Sequence, residues 1–186
     1  MSIDPIRSVV IVGGGTAGWM TAAALARVLD SNRCSITLVE SEAIGTVGVG
    51  EATIPAIHDF NRRLGLDEAD FMRYTNATFK LGIEFVNWRQ IGEAYMHPFG
   101  TYGQDMNGVS FHHYWLKARS AGQAGSLWKY SLNDIAAMAN RFAHLEQIPD
   151  THMQGLVYAF QFDASLFAAF LREYSEKRGV RRTEGK

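Results

Sequence analysis

Apolar residues along the chain change period several times, and each change marks an element. Val9-Val10-Ile11-Val12 is a β-branched run that reads as a strand and breaks into three glycines. The alanine-rich stretch from Thr16 to about Leu29 predicts a helix, and Cys34 to Val39 predicts a second strand. Ala56 to Leu64 reads as helical, and Asp67 with Asp70 opens a shorter helix through Phe71, Met72 and Tyr74. Over 79–88 the period falls to two, with Phe79, Leu81, Ile83, Phe85 and Asn87 on one face. Lys80 lies on the less apolar face of that predicted strand. Residues 89–108 are rich in Gly, His, Pro and aromatics and predict an irregular connection. Helical patterns resume from Phe111 to Arg119, ending near Gly122, and from Leu132 to Leu145, with Ser131 or Asn133 as the cap. Asp163 caps a last helix whose stripe of Leu166, Phe167, Phe170, Leu171 and Tyr174 is expected to be core, and Gly179 stops it. A strand is expected to follow, so the chain is expected to be an interrupted piece of a longer one.

The strand, helix and strand at the start frame a motif. Gly13, Gly15 and Gly18 form Gly-x-Gly-x-x-Gly, in which the first glycine makes the tight turn and the second lets backbone approach a pyrophosphate. The third allows close helix-to-strand packing, and the diphosphate sits against the helix N-terminus at Thr16 and Ala17. Glu40 ends the second strand about 20 residues later, where such units place the carboxylate for the ribose hydroxyls. The pattern therefore reads as a dinucleotide site.

A second glycine-rich stretch, Gly45 to Pro55, predicts a loop whose backbone approaches something closely. Its candidate cofactor contacts are Gly48, Val49, Gly50, Glu51, Ala52 and Thr53. A surface loop is the alternative, with Glu51 merely balancing a helix dipole. Glu40 and this strap together favour FAD held along its length over a dissociating nicotinamide.

Composition narrows the function classes. The 186 residues are 47% hydrophobic and 20% charged, which is ordinary for a folded domain. A net charge of −1 offers no field for nucleic acid or an anionic membrane. The single cysteine, Cys34, excludes an internal disulfide and fits a cytoplasmic setting. No leader pattern and no apolar stretch of about 20 residues is present. His112 and His113 lack companions at metal-ligand spacing, so no metal is expected.

Several motifs then occur in a fixed order: the glycine fingerprint followed by Trp19, Gly48-x-Gly50-Glu51-Ala52-Thr53-Ile54-Pro55, Phe79-Lys80-Leu81-Gly82-Ile83-Glu84-Phe85-Val86-Asn87-Trp88, His113-Tyr114-Trp115-Leu116, and Phe162-Asp163-Ala164-x-Leu166. Together they resemble the N-terminal portion of the flavin-dependent tryptophan halogenases, over nearly the whole chain. The segment around Lys80 is far more diagnostic than the glycine fingerprint, which many flavoproteins share.

The resemblance implies an α/β fold, a Rossmann-like FAD-binding βαβ module of flavin-monooxygenase type with helical insertions. Residues 1–186 would be the N-terminal part of a single such domain, incomplete at its C-terminus. It also implies reduced FAD supplied by a separate flavin reductase without a stable complex, halide as co-substrate, and hypohalous acid as the oxidant. An aromatic substrate such as an indole is the implied partner, and a homodimer is compatible with the family. The halide-binding residues are unknown.

By the same resemblance, Lys80 is the catalytic lysine that directs the oxidant, and His97 and Phe99 enclose the aromatic substrate. Residue pattern alone favours a strand lysine reaching solvent or pairing with Glu84, and the resemblance reverses that preference. His97 and Phe99 retain the alternative of a loop histidine and a core ring. The family's Trp-x-Trp-x-Ile-Pro stretch and substrate-facing glutamate belong beyond this length, so the isolated chain is expected to be unstable or inactive. The functional alternatives are an FAD-dependent aromatic monooxygenase and a non-catalytic flavin-binding module.

Overall fold

The structure of the chain, a computed structural model, describes residues 4–44 and 50–185. In chain order its elements are β1 (Ser8–Val12), α1 (Thr16–Val28), β2 (Ser35–Glu40), β3 (Gly50–Ala52), α2 (Ala56–Leu64), α3 (Glu68–Thr75), β4 (Thr78–Lys80), β5 (Gly82–Val86), β6 (Ala94–Pro98), α4 (Phe111–Ser120), a 3-10 turn (Leu127–Tyr130), α5 (Leu132–Met138), β7 (Ala159–Asp163), α6 (Ala164–Glu176) and β8 (Arg181–Glu184). They divide into two compact units, one of residues 1–78 with 160–186 and the other of residues 79–159. The chain passes between units inside β4 and inside β7.

The first unit is mixed α/β around a parallel sheet ordered β1-β2-β8. Val9 pairs with Ile36 and Ile11 with Leu38, while Leu38 pairs with Arg182 on the other side. Parallel neighbours need a crossover, and α1 supplies it between β1 and β2. Ile36 and Leu38 are buried, as are Trp19, Ala22 and Ala23 on α1. Small alanines on that face let helix and sheet approach closely.

The rest of this unit is organised around Phe71, which has no exposed surface. Its ring meets Phe160, Phe162 and Phe167 edge-on at centroid distances of 5.0, 5.5 and 5.5 Å. Each such buried ring contributes about 1.5–3 kcal/mol from burial alone. The stripe expected on the last helix is core at Phe167, Leu171 and Tyr174. Asp163 caps α6 by accepting from the Ser165 and Leu166 amides at 2.8 and 3.1 Å.

In this unit the expected loop over 45–55 is corrected at its end, because Gly50–Ala52 is a strand antiparallel to β7. Gly45, Thr46, Val47, Gly48 and Val49 lie outside the described residues. β7 itself has no counterpart among the predicted elements, although Phe160 and Phe162 are buried and Gln161 and Asp163 exposed. The adjoining cap at Asp163 masked that short alternation.

The second unit contains the antiparallel pair β5–β6, with Ile83 opposite His97 and Phe85 opposite Tyr95. Two corrections arise here. The strand expected over 79–88 is broken at Leu81 and stops at Val86, where Asn87 turns the chain with φ of +58° and its side chain accepts from the Gly92 amide at 2.7 Å. The irregular connection expected over 89–108 contains β6, whose Pro98 occupies the last position, where a missing N–H is tolerated.

The helix expected from Leu132 to Leu145 is also shorter, ending at Met138. Asn140 adopts φ of +51°, Arg141 N–H donates to the Ala136 carbonyl and Asn140 N–H to that of Ala137. This is a left-handed helix stop with the terminal carbonyls satisfied. Of the two expected caps Ser131 is used, its Oγ accepting from the Asp134 amide at 3.3 Å. Among the described residues no helix is long and apolar enough to cross a membrane.

Candidate functional site

In the first unit the glycine turn has the geometry a diphosphate requires. Gly13 sits at φ +109°, a conformation L side chains resist, and its N–H donates to the Val39 carbonyl at 2.8 Å. A Cβ on Gly18 would stand 1.8 Å from the Gly13 carbonyl oxygen, so nothing larger than glycine lets α1 leave the strand at this angle. At Gly15 a Cβ would meet nothing within 4 Å, and no side chain caps α1 there. The amides of the first turn, including Thr16 and Ala17, receive no side-chain cap and are of the kind that can take an anion.

Beside this turn lies a cavity of about 650 Å³ lined by Gly13, Gly14, Gly15, Glu40, Ser41, Arg172 and Arg182, among others. Glu40 is fixed at its wall, accepting from Arg182 Nε at 2.5 Å and from Trp19 Nε1 at 3.3 Å. The Glu40 carboxylate holds the Arg182 guanidinium above its ordinary pKa. A carboxylate has about four acceptor positions, so two protein donors leave room for ribose hydroxyls. Ser41 Oγ is buried with no hydrogen-bond partner among the described residues, and it lines the same cavity. Open amides, a held carboxylate and an orphaned hydroxyl fit the adenosine diphosphate half of a dinucleotide.

The strap residues differ among themselves. Glu51 and Ala52 pair with Phe162 and Gln161 through β3, and Gly50 pairs with Asp163. The Thr53 hydroxyl donates to the Phe160 carbonyl at 2.8 Å and accepts from the Phe160 amide at 3.1 Å. These bonds tie β3 to β7.

In the second unit Lys80 is buried, 6% exposed. Its Nζ stands 5.5 Å from the centroid of the Phe99 ring. Burial pushes the amine below the ordinary lysine pKa of 10.5, because removing water disfavours the ammonium. The expected alternative of a lysine reaching solvent is therefore corrected. Phe99 is drawn in by its own N–H, which donates to the Leu81 carbonyl at 2.8 Å. His97 lies exposed on β6, two residues before Phe99.

Next to Lys80, Phe79 stacks on Phe142 at 3.7 Å and meets His144 and Tyr158 edge-on at 5.4 and 5.5 Å. The second unit also buries polar groups. Asn133 is 2% exposed, and Asp134 is buried with its carboxyl pushed above the ordinary 3.8 by desolvation and by Glu84. Tyr102 is raised above 10.0 by burial and by the Asp134 charge. Among the described residues no group of three or more His, Cys, Asp or Glu stands close enough to share a metal ion.

The chain thus combines a buried amine beside an aromatic ring with a glycine turn that no side chain caps. The tryptophan halogenase family model matches residues 8–186. The chain belongs to the tryptophan halogenase family. It is 38% identical, over 92% of its length, to 7-chloro-L-tryptophan 6-halogenase KtzR of Kutzneria sp. (strain 744), of which it covers 36%. The solved structure of Xcc4156, a flavin-dependent halogenase from Xanthomonas campestris, superposes with a TM-score of 0.89 at 51% identity, covering 98% of this chain and 36% of that one. BrvH, a flavin-dependent halogenase from Brevundimonas sp. BAL3, gives 0.87 at 49% identity, covering 97% and 36%. The chain thus spans about a third of the length of these relatives. Its parallel sheet and glycine turn are the Rossmann-type fold of a flavin-dependent family of oxidoreductases.

Four residues at these sites escaped sequence reasoning. Arg182 and Arg172 reach Glu40 only because β8 and α6 return to the first strands, with 142 residues separating Arg182 from its partner. Ser41 follows Glu40 directly but carries no motif. Asn133 reads in the sequence only as a helix cap.

Proposed function

We propose that the protein is a flavin-dependent halogenase acting on an indole or a related electron-rich aromatic, with Lys80 as the catalytic residue. The observation that carries this reading is the buried Lys80 amine against the Phe99 ring. FAD is the flavin, and when bound it supplies the oxygen activation that converts halide to hypohalous acid. Its reduced form comes from a separate flavin reductase without a lasting complex, and the setting is cytoplasmic. The chain is the N-terminal part of a single FAD-binding domain.

The residues of this chain divide the work. Gly13, Gly15, Gly18 and the amides of Thr16 and Ala17 hold the diphosphate, and Glu40 takes the ribose hydroxyls. Gly48, Val49, Gly50, Glu51, Ala52 and Thr53 would contact the cofactor when it is bound. Hypohalous acid alone is a weak electrophile, and Lys80 strengthens it in one of two ways. As an ammonium it donates a hydrogen bond to the oxygen that leaves as water. As an amine it takes the halogen, releases water and passes the halogen on. In either case the aromatic carbon gains the halogen and loses a proton, which balances as hypohalous acid plus arene giving haloarene plus water. Desolvation, which lowers the amine pKa, makes the second course accessible nearer neutral pH. His97 and Phe99 wall the aromatic ring, the phenyl face giving apolar contact.

The test is product analysis of the full-length protein supplied with reduced FAD, oxygen and indole, with and without bromide. Bromoindole that forms only with bromide is the expected result. Hydroxyindole formed regardless of halide would instead assign a monooxygenase, and flavin binding without either product a binding module.

A further inference from the structure

Lys80 sits at a weak point of the chain. β4 ends on it and β5 begins two residues later, so Leu81 belongs to neither strand. Leu81, immediately after the residue from which the amine projects, must be fixed by something other than strand pairing.

We infer that Asn133 is a positioning residue for Lys80, its carboxamide pinning the break at Leu81 and thereby seating the amine against the Phe99 ring. This rests on the proposed role of Lys80. The Asn133 Nδ2 donates to the Leu81 carbonyl at 3.0 Å and also to the Val157 carbonyl. Its Oδ1 accepts from the Val157 amide at 3.1 Å. One buried side chain thus closes both hydrogen bonds of Val157 while holding Leu81.

The same Leu81 carbonyl accepts from the Phe99 amide, so its two donors come from the residue that carries the ring and from α5. Gly100, next to Phe99, runs against the clamp as well, since a Cβ there would stand 3.4 Å from Asn133 Oδ1. Both halves of the Lys80–Phe99 pair therefore meet at the Leu81 carbonyl, which is held by the carboxamide of Asn133. Its own backbone is fixed in turn, because Asn133 is the second residue of α5 and the fully buried Ser131 caps that helix.

The residue type matters. Two carbonyls need donors and one amide needs an acceptor, and among side chains of this size only asparagine provides both from one planar group. Aspartate has the same shape but would turn carboxylate oxygens toward the Leu81 and Val157 carbonyls. Buried polar groups satisfied in this way specify one geometry, and half-satisfied ones do not.

The experiment compares Asn133→Ala, Asn133→Asp and the milder Asn133→Ser with the unaltered protein and Lys80→Ala. One readout needs no flavin: the pH dependence with which the Lys80 amine is acetylated in competition with a free amine, followed by peptide mass. The other is the split between bromoindole and free hypobromous acid, trapped by an enolisable diketone. Loss of the clamp is expected to move the Lys80 labelling profile toward that of an ordinary lysine. Bromoindole per hypobromous acid should fall about tenfold to a hundredfold, the scale on which small misplacements act, with flavin affinity unchanged. Asn133→Ser should be intermediate and keeps the test available if the other two do not fold. An unaltered labelling profile and an unaltered product split in a folded variant, while Lys80→Ala still abolishes bromoindole, would overturn the inference. Undiminished bromoindole from Lys80→Ala would overturn the underlying reading of Lys80 instead.

Discussion

The turn from Gly13 to Gly18 is shaped by side chains that are missing, and the surroundings of Lys80 by a few buried side chains that hold. In the first region a positive φ at Gly13 and a carbonyl 1.8 Å from where a Gly18 Cβ would lie leave no chemical choice of residue. In the second, Lys80, Phe99 and Asn133 come from separate stretches of the chain and meet through one carbonyl, that of Leu81. A site built from backbone is written in consecutive residues. A site built from clamped side chains is written in residues scattered over 54 positions, from Lys80 to Asn133, with no fixed spacing. The teaching is that diphosphate binding and oxidant direction place different demands on a chain. An anion needs an array of amides, and a reactive amine needs a dry and fixed place.

The largest effect that sharpens the comparison is expected at Phe71, on which the first unit is packed. Phe71→Ala should cost about 3–5 kcal/mol in chemical denaturation and take flavin binding with it. A loss below 1 kcal/mol would show that the aromatic cluster is not what supports the cradle. Next comes Gly18→Ala, in which overpacking against the Gly13 carbonyl is expected to cost about 1–3 kcal/mol. Flavin titration should show weaker binding, with the labelling of Lys80 unchanged. Equal damage to both readouts would break the division between the regions.

A smaller effect is expected from Arg182→Met, which leaves the fold but releases Glu40. Flavin affinity should fall several-fold by fluorescence titration, and Glu40→Gln combined with it should add little, since the two act as one unit. Full additivity of the two changes would separate Arg182 from Glu40.

The smallest effect concerns Asp134. Its carboxyl is raised above 3.8, so the folded chain holds that proton more tightly than the unfolded one. The resulting stability is fully present below pH 3.8 and is lost as pH rises through the folded value. Asp134→Asn should therefore match the unaltered protein in acid and become the more stable of the two toward neutral pH, measured as melting temperature across that range. A gap that widens on acidification would contradict the sign.

The legibility of the sequence follows the same division. The βαβ start was readable because β-branched, glycine and alanine runs each have one local meaning. β6 was hidden because Pro98, His97 and the nearby glycines look irregular, and only pairing with β5 makes them a strand. The end of α5 is not legible because Asn140 can either continue a helix or turn left-handed, and the Arg141 amide bonded to Ala136 decides for the turn. Lys80 illustrates the limit best. Its place in a period-2 run indicated a strand, whereas its burial depends on Phe99 and Leu81 and was suggested only by family resemblance.

The central claim is that Lys80 directs the halogen. Its most direct test is Lys80→Ala in the complete protein, supplied with reduced FAD, oxygen, bromide and indole, with bromoindole and hypobromous acid both quantified. The account predicts that bromoindole falls by about 10²- to 10⁴-fold, the usual contribution of a positioned acid or base, while hypobromous acid continues to form. Bromoindole formed at the unaltered rate would contradict it.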